Sequence, residues 1–141
     1  MDPTKGFINK KEGSEPRIIE MKRGILGFER LKRFDLVSQE ETAPFWQLNS
    51  VEDGTIFVVI NPFLVKSDYQ PVIPDRDVRL LEIDDASDVL LVCIVTIHRQ
   101  PSGASINLRA PLVINAKKGL AAQVVLEDDE YPLRFPLGKS G

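Results

Sequence analysis

Residues 89–97 carry the longest apolar run in the chain, with the sequence VLLVCIVTI. The run is interrupted only by Thr96 and is apolar at both odd and even positions. An extended strand with this pattern would be covered on both faces, as the central strand of a sheet is. A membrane-spanning helix needs about 20 apolar residues, which is far more than this run supplies. The run therefore predicts the central strand of a soluble β-protein.

Further runs rich in Val, Ile, Thr and aromatic residues lie on both sides of this strand, separated by turns rich in proline and glycine. The predicted strands are Arg17–Met21, Arg33–Ser38, Phe45–Asn49, Thr55–Asn61, Leu90–Arg99, Ser105–Arg109, Leu112–Asn115 and Gln123–Leu126. Only Asp75–Leu81 has the early acids and the apolar spacing of a helix. These patterns predict an all-β (mainly β) fold, a small β-barrel of about eight to ten short antiparallel strands with one short helix.

The length of 141 residues predicts a single domain over residues 1–141. We expect residues 1–15 to form a short edge strand and a loop, and residues 138–141 a flexible tail. One cysteine and one histidine exclude a disulfide framework and a tetrahedral zinc site, so no metal and no cofactor is expected. No apolar segment follows the first basic residues, and a cytoplasmic protein without a membrane segment is therefore predicted.

Charge is unevenly distributed along the chain. Residues 1–36 hold nine Lys/Arg against six Asp/Glu, whereas residues 37–141 hold nine against fifteen. Such a surface would repel nucleic-acid phosphates, so we expect no direct binding of nucleic acid. A basic protein is the better electrostatic partner, although the same charge also suits a domain that is merely soluble.

Residues of the types used in catalysis do not form a convincing site. Cys93 and His98 could form a nucleophile–base pair, but a spacing of five on one strand places them on opposite faces, about 16 Å apart. Cys93 is therefore predicted to be a small buried hydrophobic residue. An alternative from another class is a ligand-binding barrel or an uncharacterised enzyme, with a mouth lined by Trp46 and Tyr69.

Asn61, Pro62 and Phe63 are predicted to end a strand abruptly, because proline lacks an amide donor and restricts the preceding residue to extended backbone. Phe63 is expected to belong to the core at one end of the barrel. The alternative is that Phe63 stands exposed as an anchor for a partner.

Asn107, Arg109 and Asn115 are further candidates for partner contact. If the chain is extended from Ser105 to Asn115, odd-numbered residues share one face and the apolar residues Ile106, Leu108 and Ala110 share the other. The apolar set should be inside, which leaves the polar groups available to a partner.

Several stretches, taken together, resemble the FliW family of flagellar assembly factors, over about residues 17–137. They are Gly24–Glu29, Asn61–Phe63, Asn107–Pro111 with Ile114 and Asn115, Gln123–Asp128, and the ending that contains Tyr131, Arg134, Pro136 and Leu137. Phe135 stands where the family often has histidine. The resemblance implies a small β-barrel without enzymatic activity.

The resemblance also implies two cytoplasmic partners. Family members bind newly made flagellin and, in many bacteria, the translational repressor CsrA, and they exchange these partners by mass action. We expect CsrA, where present, to dock on an acidic surface that includes Asp84–Asp88 or Glu127–Glu130. Flagellin should fold onto an apolar groove. The candidate binding residues are Asn61, Phe63, Asn107, Arg109, Glu127, Asp128, Asp129 and Glu130, and the protein is expected to be a monomer or a weak oligomer.

Overall fold

The computed structural model describes residues 17–99, 103–127 and 130–137. The strands in these ranges are β1 Arg17–Arg23, β2 Arg33–Ser38, β3 Trp46–Ser50, β4 Ile56–Ile60, β5 Val89–His98, β6 Gly103–Ile106, β7 Leu112–Asn115, β8 Leu120–Gln123 and β9 Phe135–Leu137. One α-helix, α1, spans Asp75–Leu80, and short 3-10 helices lie at Glu40–Thr42, Pro62–Leu64 and Ala86–Asp88. The predicted all-β class with one short helix is confirmed. The expectations for residues 1–15 and 138–141 concern residues outside the described ranges. Among the described residues, no helix is long and apolar enough to cross a membrane.

Seven strands close into a barrel. Neighbours follow the order β4-β3-β2-β1-β8-β7-β5, and β5 also pairs with β4, which joins the two edges. The C-terminal half of β5 pairs with β6, and β6 carries β9 on its outer side. The prediction of antiparallel strands is wrong at one pair, because β1 and β8 run parallel. Parallel neighbours need a long connection, and here about a hundred residues lie between the two strands.

The barrel interior is a packed apolar core. Each barrel strand contributes alternate side chains to it, as the two-residue period of a strand requires. Phe34 and Leu48 are fully buried there, and Trp46 belongs to the same cluster. The ring of Phe57 packs against Phe28 and Phe34, at centroid distances of 5.0 and 6.0 Å. Side chains therefore fill the interior of this barrel.

A second apolar cluster lies on the outside of the barrel, against β5, β7 and β8. Residues 61–88, which connect β4 to β5 and contain α1, cover it together with residues 124–127 and 130–137. Tyr69, Leu81 and Tyr131 are buried side chains of this cover. Tyr69 belongs to this outer cluster and Trp46 to the interior, so the two do not line a common mouth. The alternative that relied on such a mouth is wrong in that respect.

Asn115, at the end of β7, attaches this cover to the barrel. Its Nδ2 donates to the carbonyl oxygens of Leu81, at 2.8 Å, and Glu82, at 3.1 Å. Its Oδ1 accepts from the backbone N–H groups of Lys117 and Lys118, at 3.1 and 3.2 Å. Asn115 is 2% exposed and its whole carboxamide is used inside the fold, so the prediction that Asn115 is available to a partner is wrong.

An ion pair provides a second attachment. The carboxylate of Asp77 in α1 is buried, and its Oδ1 accepts a short hydrogen bond from Nη1 of Arg23 at the end of β1. Arg76 approaches the other carboxylate oxygen at 3.9 Å. Burial of this charge fixes α1 against the end of the barrel that carries Arg23.

Two strands near the C-terminus differ from the prediction. The strand predicted over Gln123–Leu126 is displaced, because Gly119, at φ +71°, turns the chain early and β8 already begins at Leu120. The backbone N–H groups of Val124 and Leu126 instead bond to carbonyls of the turn before β7. The last strand, β9, was not predicted, since Pro136 in its centre argues against a strand anywhere except at a sheet edge.

Candidate partner-binding surfaces

An open apolar groove lies where β9 approaches the start of β3 and the end of β4. Its lining residues are Pro44, Phe45, Ile60, Leu64, Val65, Phe135, Pro136 and Leu137. The groove has a volume of about 480 Å³, within the range of about 300–1,000 Å³ common for ligand pockets. Leu64 is 63% exposed, so this apolar surface is accessible to a partner.

Asn61 shapes the turn that forms one wall of the groove. The strand β4 ends at Ile60, which confirms the predicted strand end. The buried Asn61 then accepts a hydrogen bond on Oδ1 from the N–H of Phe63, at 2.9 Å, and caps the 3-10 helix Pro62–Leu64. Its side chain is thus used within the fold, and a direct contact of Asn61 with a partner stays a prediction.

Phe63 supports the same wall from behind. The prediction that Phe63 belongs to the core is wrong, because the 3-10 helix places its ring outside the barrel, where it is 36% exposed. One side of the ring contacts Tyr69, at a centroid distance of 5.8 Å, and Tyr69 in turn contacts Tyr131 at 4.8 Å. The Tyr69 hydroxyl donates to the carbonyl of Leu108 at 2.7 Å, and burial raises the pKa of this hydroxyl. The aromatic row therefore connects the groove wall to the outer cluster.

Asn107 and Arg109 lie in the turn between β6 and β7 and not in a strand. The even-numbered apolar side chains of this segment are buried, as predicted. Asn107 Oδ1 accepts from the N–H of Arg109 at 3.1 Å and from the next N–H at 3.0 Å. Arg109 Nε donates to the carbonyl of Tyr131 at 2.9 Å. Both side chains shape this turn, and their contact with a partner remains a prediction.

The acidic run at residues 84–88 shares its corner with lysines. Lys118 Nζ lies 3.3 Å from Glu82 Oε1, and Lys117 also contributes to the electrostatic environment of Asp85. Hydrogen bonds from Ser87 hold the pKa of Asp85 below its ordinary value. The corner is thus less negative than the run of acids suggests, although Asp84 is exposed.

The second acidic run, residues 127–130, is separate from the first. Asp128 and Asp129 lie outside the described residues, and Glu127 and Glu130 are exposed. Backbone bonds place residues 124–126 beside Pro111 and Arg109, whereas Asp88 bonds to Ala116 beyond the other end of β7. The extended segment from Pro111 to Ala116, which contains β7, spans about 16 Å. This distance is about twice the screening length at physiological salt. Asp88 and Glu127, the described ends of the two runs, are therefore screened from each other.

Cys93 is fully buried in the outer cluster, as predicted, and burial raises the pKa of its thiol to about 12. His98 Nε2 lies 2.7 Å from Ser105 Oγ. A neutral thiol packed in an apolar cluster is a poor nucleophile. Within the described ranges, no group of three or more His, Cys, Asp or Glu side chains is placed to hold a metal ion.

The sequence predicted an apolar groove but not the residues that line it, because these come from four separate places in the chain. Leu64, which lines one wall of the groove, directly follows the Asn61–Phe63 motif in the sequence. The apolar pair Phe135 and Leu137 around Pro136 is a pattern that suits an edge strand, and it was the available signal for the other wall.

The described residues define a small closed β-barrel with a packed interior, an external apolar groove and exposed acidic segments. The family model described as FliW protein matches residues 4–137. The chain is 49% identical over 130 residues to the flagellar assembly factor FliW of Syntrophus aciditrophicus (strain SB), covering 92% of this chain and 82% of that protein. It is 38% identical over 134 residues to the flagellar assembly factor FliW of Thermotoga maritima, covering 94% and 90%.

A solved structure agrees with these sequence matches. The crystal structure of the flagellar assembly factor FliW superimposes with a TM-score of 0.77 at 35% identity, covering 86% of this chain and 88% of that chain. The chain belongs to the FliW family of flagellar assembly factors, and the resemblance in the sequence motifs is confirmed.

Proposed function

We propose that this protein binds newly made flagellin in the cytoplasm and, when free of flagellin, binds the translational repressor CsrA. The observation that carries the proposal is membership of a family whose named members are flagellar assembly factors. Export of flagellin frees the factor, which then takes CsrA from the flagellin message. Accumulated flagellin occupies the factor again, and repression returns by mass action.

The packing of the barrel supports a role in binding and not in catalysis. Side chains fill the interior, so the barrel does not have the central cavity that small ligand-binding barrels use. The Cys93 thiol is buried and held neutral. Accessible features of the described surface are an apolar groove and acidic segments, which suit protein partners better than a small substrate.

We assign CsrA to an exposed acidic patch. A basic RNA-binding protein is attracted by carboxylates that would repel RNA itself, so the factor competes for the protein and not for the message. The patch at residues 127–130 is the stronger candidate, because only four residues separate it from Phe135 in the apolar groove, so flagellin and CsrA would exclude each other there, as exchange by mass action requires. Charge attraction of this kind acts first on the association rate.

The experiment measures association rates of the protein, expected as a monomer or weak oligomer, with flagellin and with CsrA between about 50 and 500 mM salt. Asp84→Asn and Glu127→Gln each remove one exposed charge from a patch. Glu20→Gln is the matched control, since Glu20 is exposed on β1.

We expect the CsrA association rate to fall by roughly tenfold with salt, and to fall further in the variant of the patch that CsrA uses. Flagellin association should change little with salt, and Glu20→Gln should behave as wild type. A CsrA rate that ignores both salt and substitutions contradicts the electrostatic assignment. Absence of flagellin binding by the wild-type protein contradicts the proposed function itself.

A further inference from the structure

The apolar groove is already formed without a partner. Ile60 at the end of β4 and Phe135 in β9 line it together with the exposed Leu64 and the half-buried Leu137. The wall that carries Leu64 is held by the Asn61 cap and by the contact of Phe63 with the buried Tyr69. A partner would therefore meet fixed walls, and little binding energy would be lost in ordering them.

Pro136 argues against an added β-strand as the occupant. In the antiparallel β6–β9 pair, Pro136 lies opposite Ser105, between two residues that pair with β6 on either side. Proline has no amide N–H, so Pro136 and Ser105 form a non-hydrogen-bonded pair. The backbone nitrogen and carbonyl of Pro136 therefore face away from β6, towards the outer edge of the sheet. A strand that docked there would find no N–H donor at the middle of the β9 edge. Proline at an edge strand protects natural sheets from such pairing.

The size of the groove argues against a second copy of the chain. Eight residues line it, whereas a stable protein interface uses about 20–30 residues on each side. A groove of this size suits one short segment of a partner. An added strand is disfavoured, and an amphipathic helix is a regular structure that presents a compact apolar stripe to such a groove.

Basic side chains at the rim indicate the charge of that helix. Lys66 Nζ lies 6.0 Å from the ring centroid of Phe135, and Arg134 is exposed immediately before this groove residue. Lys66 also pairs with Asp68 at 3.0 Å, but the exposed Asp68 carboxylate leaves this pair in solvent, where it contributes little. The rim therefore favours an acidic side chain beside the apolar stripe.

We propose that the groove binds one amphipathic helix of a partner protein, through apolar side chains at spacings of three and four residues, with an acid facing Lys66 and Arg134. This assignment rests on the proposed function, under which the helix belongs to flagellin. The flagellin site is mainly apolar, so binding there should depend less on salt than binding at the acidic patches assigned to CsrA.

The test measures the affinity of full-length flagellin for the full chain and for two matched leucine variants. Leu64→Gln places a polar amide in the groove, while Leu26→Gln makes the same change on the β1–β2 connection. The two leucines are 63% and 62% exposed, so their effects on folding should be alike. We expect Leu64→Gln to weaken flagellin binding about tenfold or more and Leu26→Gln to change it less than about twofold.

A third variant, Pro136→Ala, restores an N–H at the open edge of β9. A helix has no use for this donor, so flagellin affinity should stay equal or weaken slightly through lost apolar contact. Tighter binding by Pro136→Ala would mean strand addition and would overturn the helix. Equal binding by Leu64→Gln and Leu26→Gln, with wild-type binding intact, would overturn the groove assignment and leave the proposed function standing. Failure of the wild-type protein to bind flagellin would overturn both.

Discussion

Replacing Asn115 by alanine tests whether the outer cover depends on one buried carboxamide. Asn115 makes four hydrogen bonds, two to carbonyls after α1 and two from backbone N–H groups of its own turn. The substitution removes all four and leaves the carbonyl of Leu81, a fully buried residue, without this donor. We expect the cover to loosen at this point while the barrel core remains packed.

The size of the effect follows from the environment of each bond. The N–H groups of Lys117 and Lys118 lie in an exposed turn and can bond to water, so their loss costs little. The two bonds to carbonyls contribute about 0.5–1.5 kcal/mol each, and an unsatisfied buried carbonyl adds about 1–3 kcal/mol. We therefore expect the free energy of unfolding to fall by about 3 kcal/mol, or the melting temperature by roughly 10 °C.

Urea unfolding followed by the fluorescence of Trp46 is a direct assay, because this single tryptophan is buried in the barrel interior. Asn49→Ala is the matched control, since Asn49 Oδ1 has no hydrogen-bond partner among the described residues. The control removes an oxygen that makes no hydrogen bond within the described ranges, so it should not lower the free energy of unfolding. If Asn115→Ala costs no more than Asn49→Ala, the attachment of the cover by Asn115 is refuted.

Three further substitutions or conditions test other features of the fold. Phe63→Ala should lower the free energy of unfolding by about 1 kcal/mol, because its ring is partly exposed, and a loss of about 3–5 kcal/mol would return Phe63 to the core. Arg23→Ala should cost about 3 kcal/mol in the same urea assay, since it leaves the buried Asp77 carboxylate without this partner, and an unchanged midpoint would contradict the ion pair. Cys93 should resist a thiol reagent at about pH 8 in the native protein, because burial raises its pKa to about 12. The thiol of the unfolded chain ionises near pH 9, whereas the buried Cys93 thiol of the folded protein ionises only near pH 12. The stability that Cys93 contributes is therefore fully present below pH 9 and is lost as the pH rises from 9 to 12. A melting temperature that is independent of pH in this range would count against its burial.

Much of the fold could be predicted because local pattern and tertiary position agree. The run VLLVCIVTI forms the longest described strand, and both of its faces are apolar because Leu90 and Val92 pack in the barrel interior while Cys93 and Val95 pack in the outer cluster. Arg33–Ser38 and Leu112–Asn115 form strands with the predicted bounds, since turn residues mark both ends. The parallel β1–β8 pair could not be predicted, because strand direction depends on closure of the barrel and not on local sequence.

The candidate site was less predictable, and for a physical reason. Asn61 and Asn107 looked like surface groups, but asparagine side chains also cap turns, and the backbone geometry that decides between these roles is tertiary. Acidic runs were visible as charge, whereas the lysines that share the 84–88 corner arrive from another turn. The groove assembles apolar residues that are distant in sequence, so only the folded chain brings them together.

The parallel pairing of β1 with β8 has a consequence for how the chain folds. Until Leu120–Gln123 is available, one edge of β1 has no neighbour in the barrel, and the sheet built from β1 to β4 stays open. Closing a loop of about a hundred residues costs entropy before any contact compensates for it, so this step should be slow. During synthesis, the barrel cannot close until the ribosome has released nearly all of the described sequence. The exposed edge of β1 is thus the place where a nascent chain of this protein is most open to mispairing with another copy.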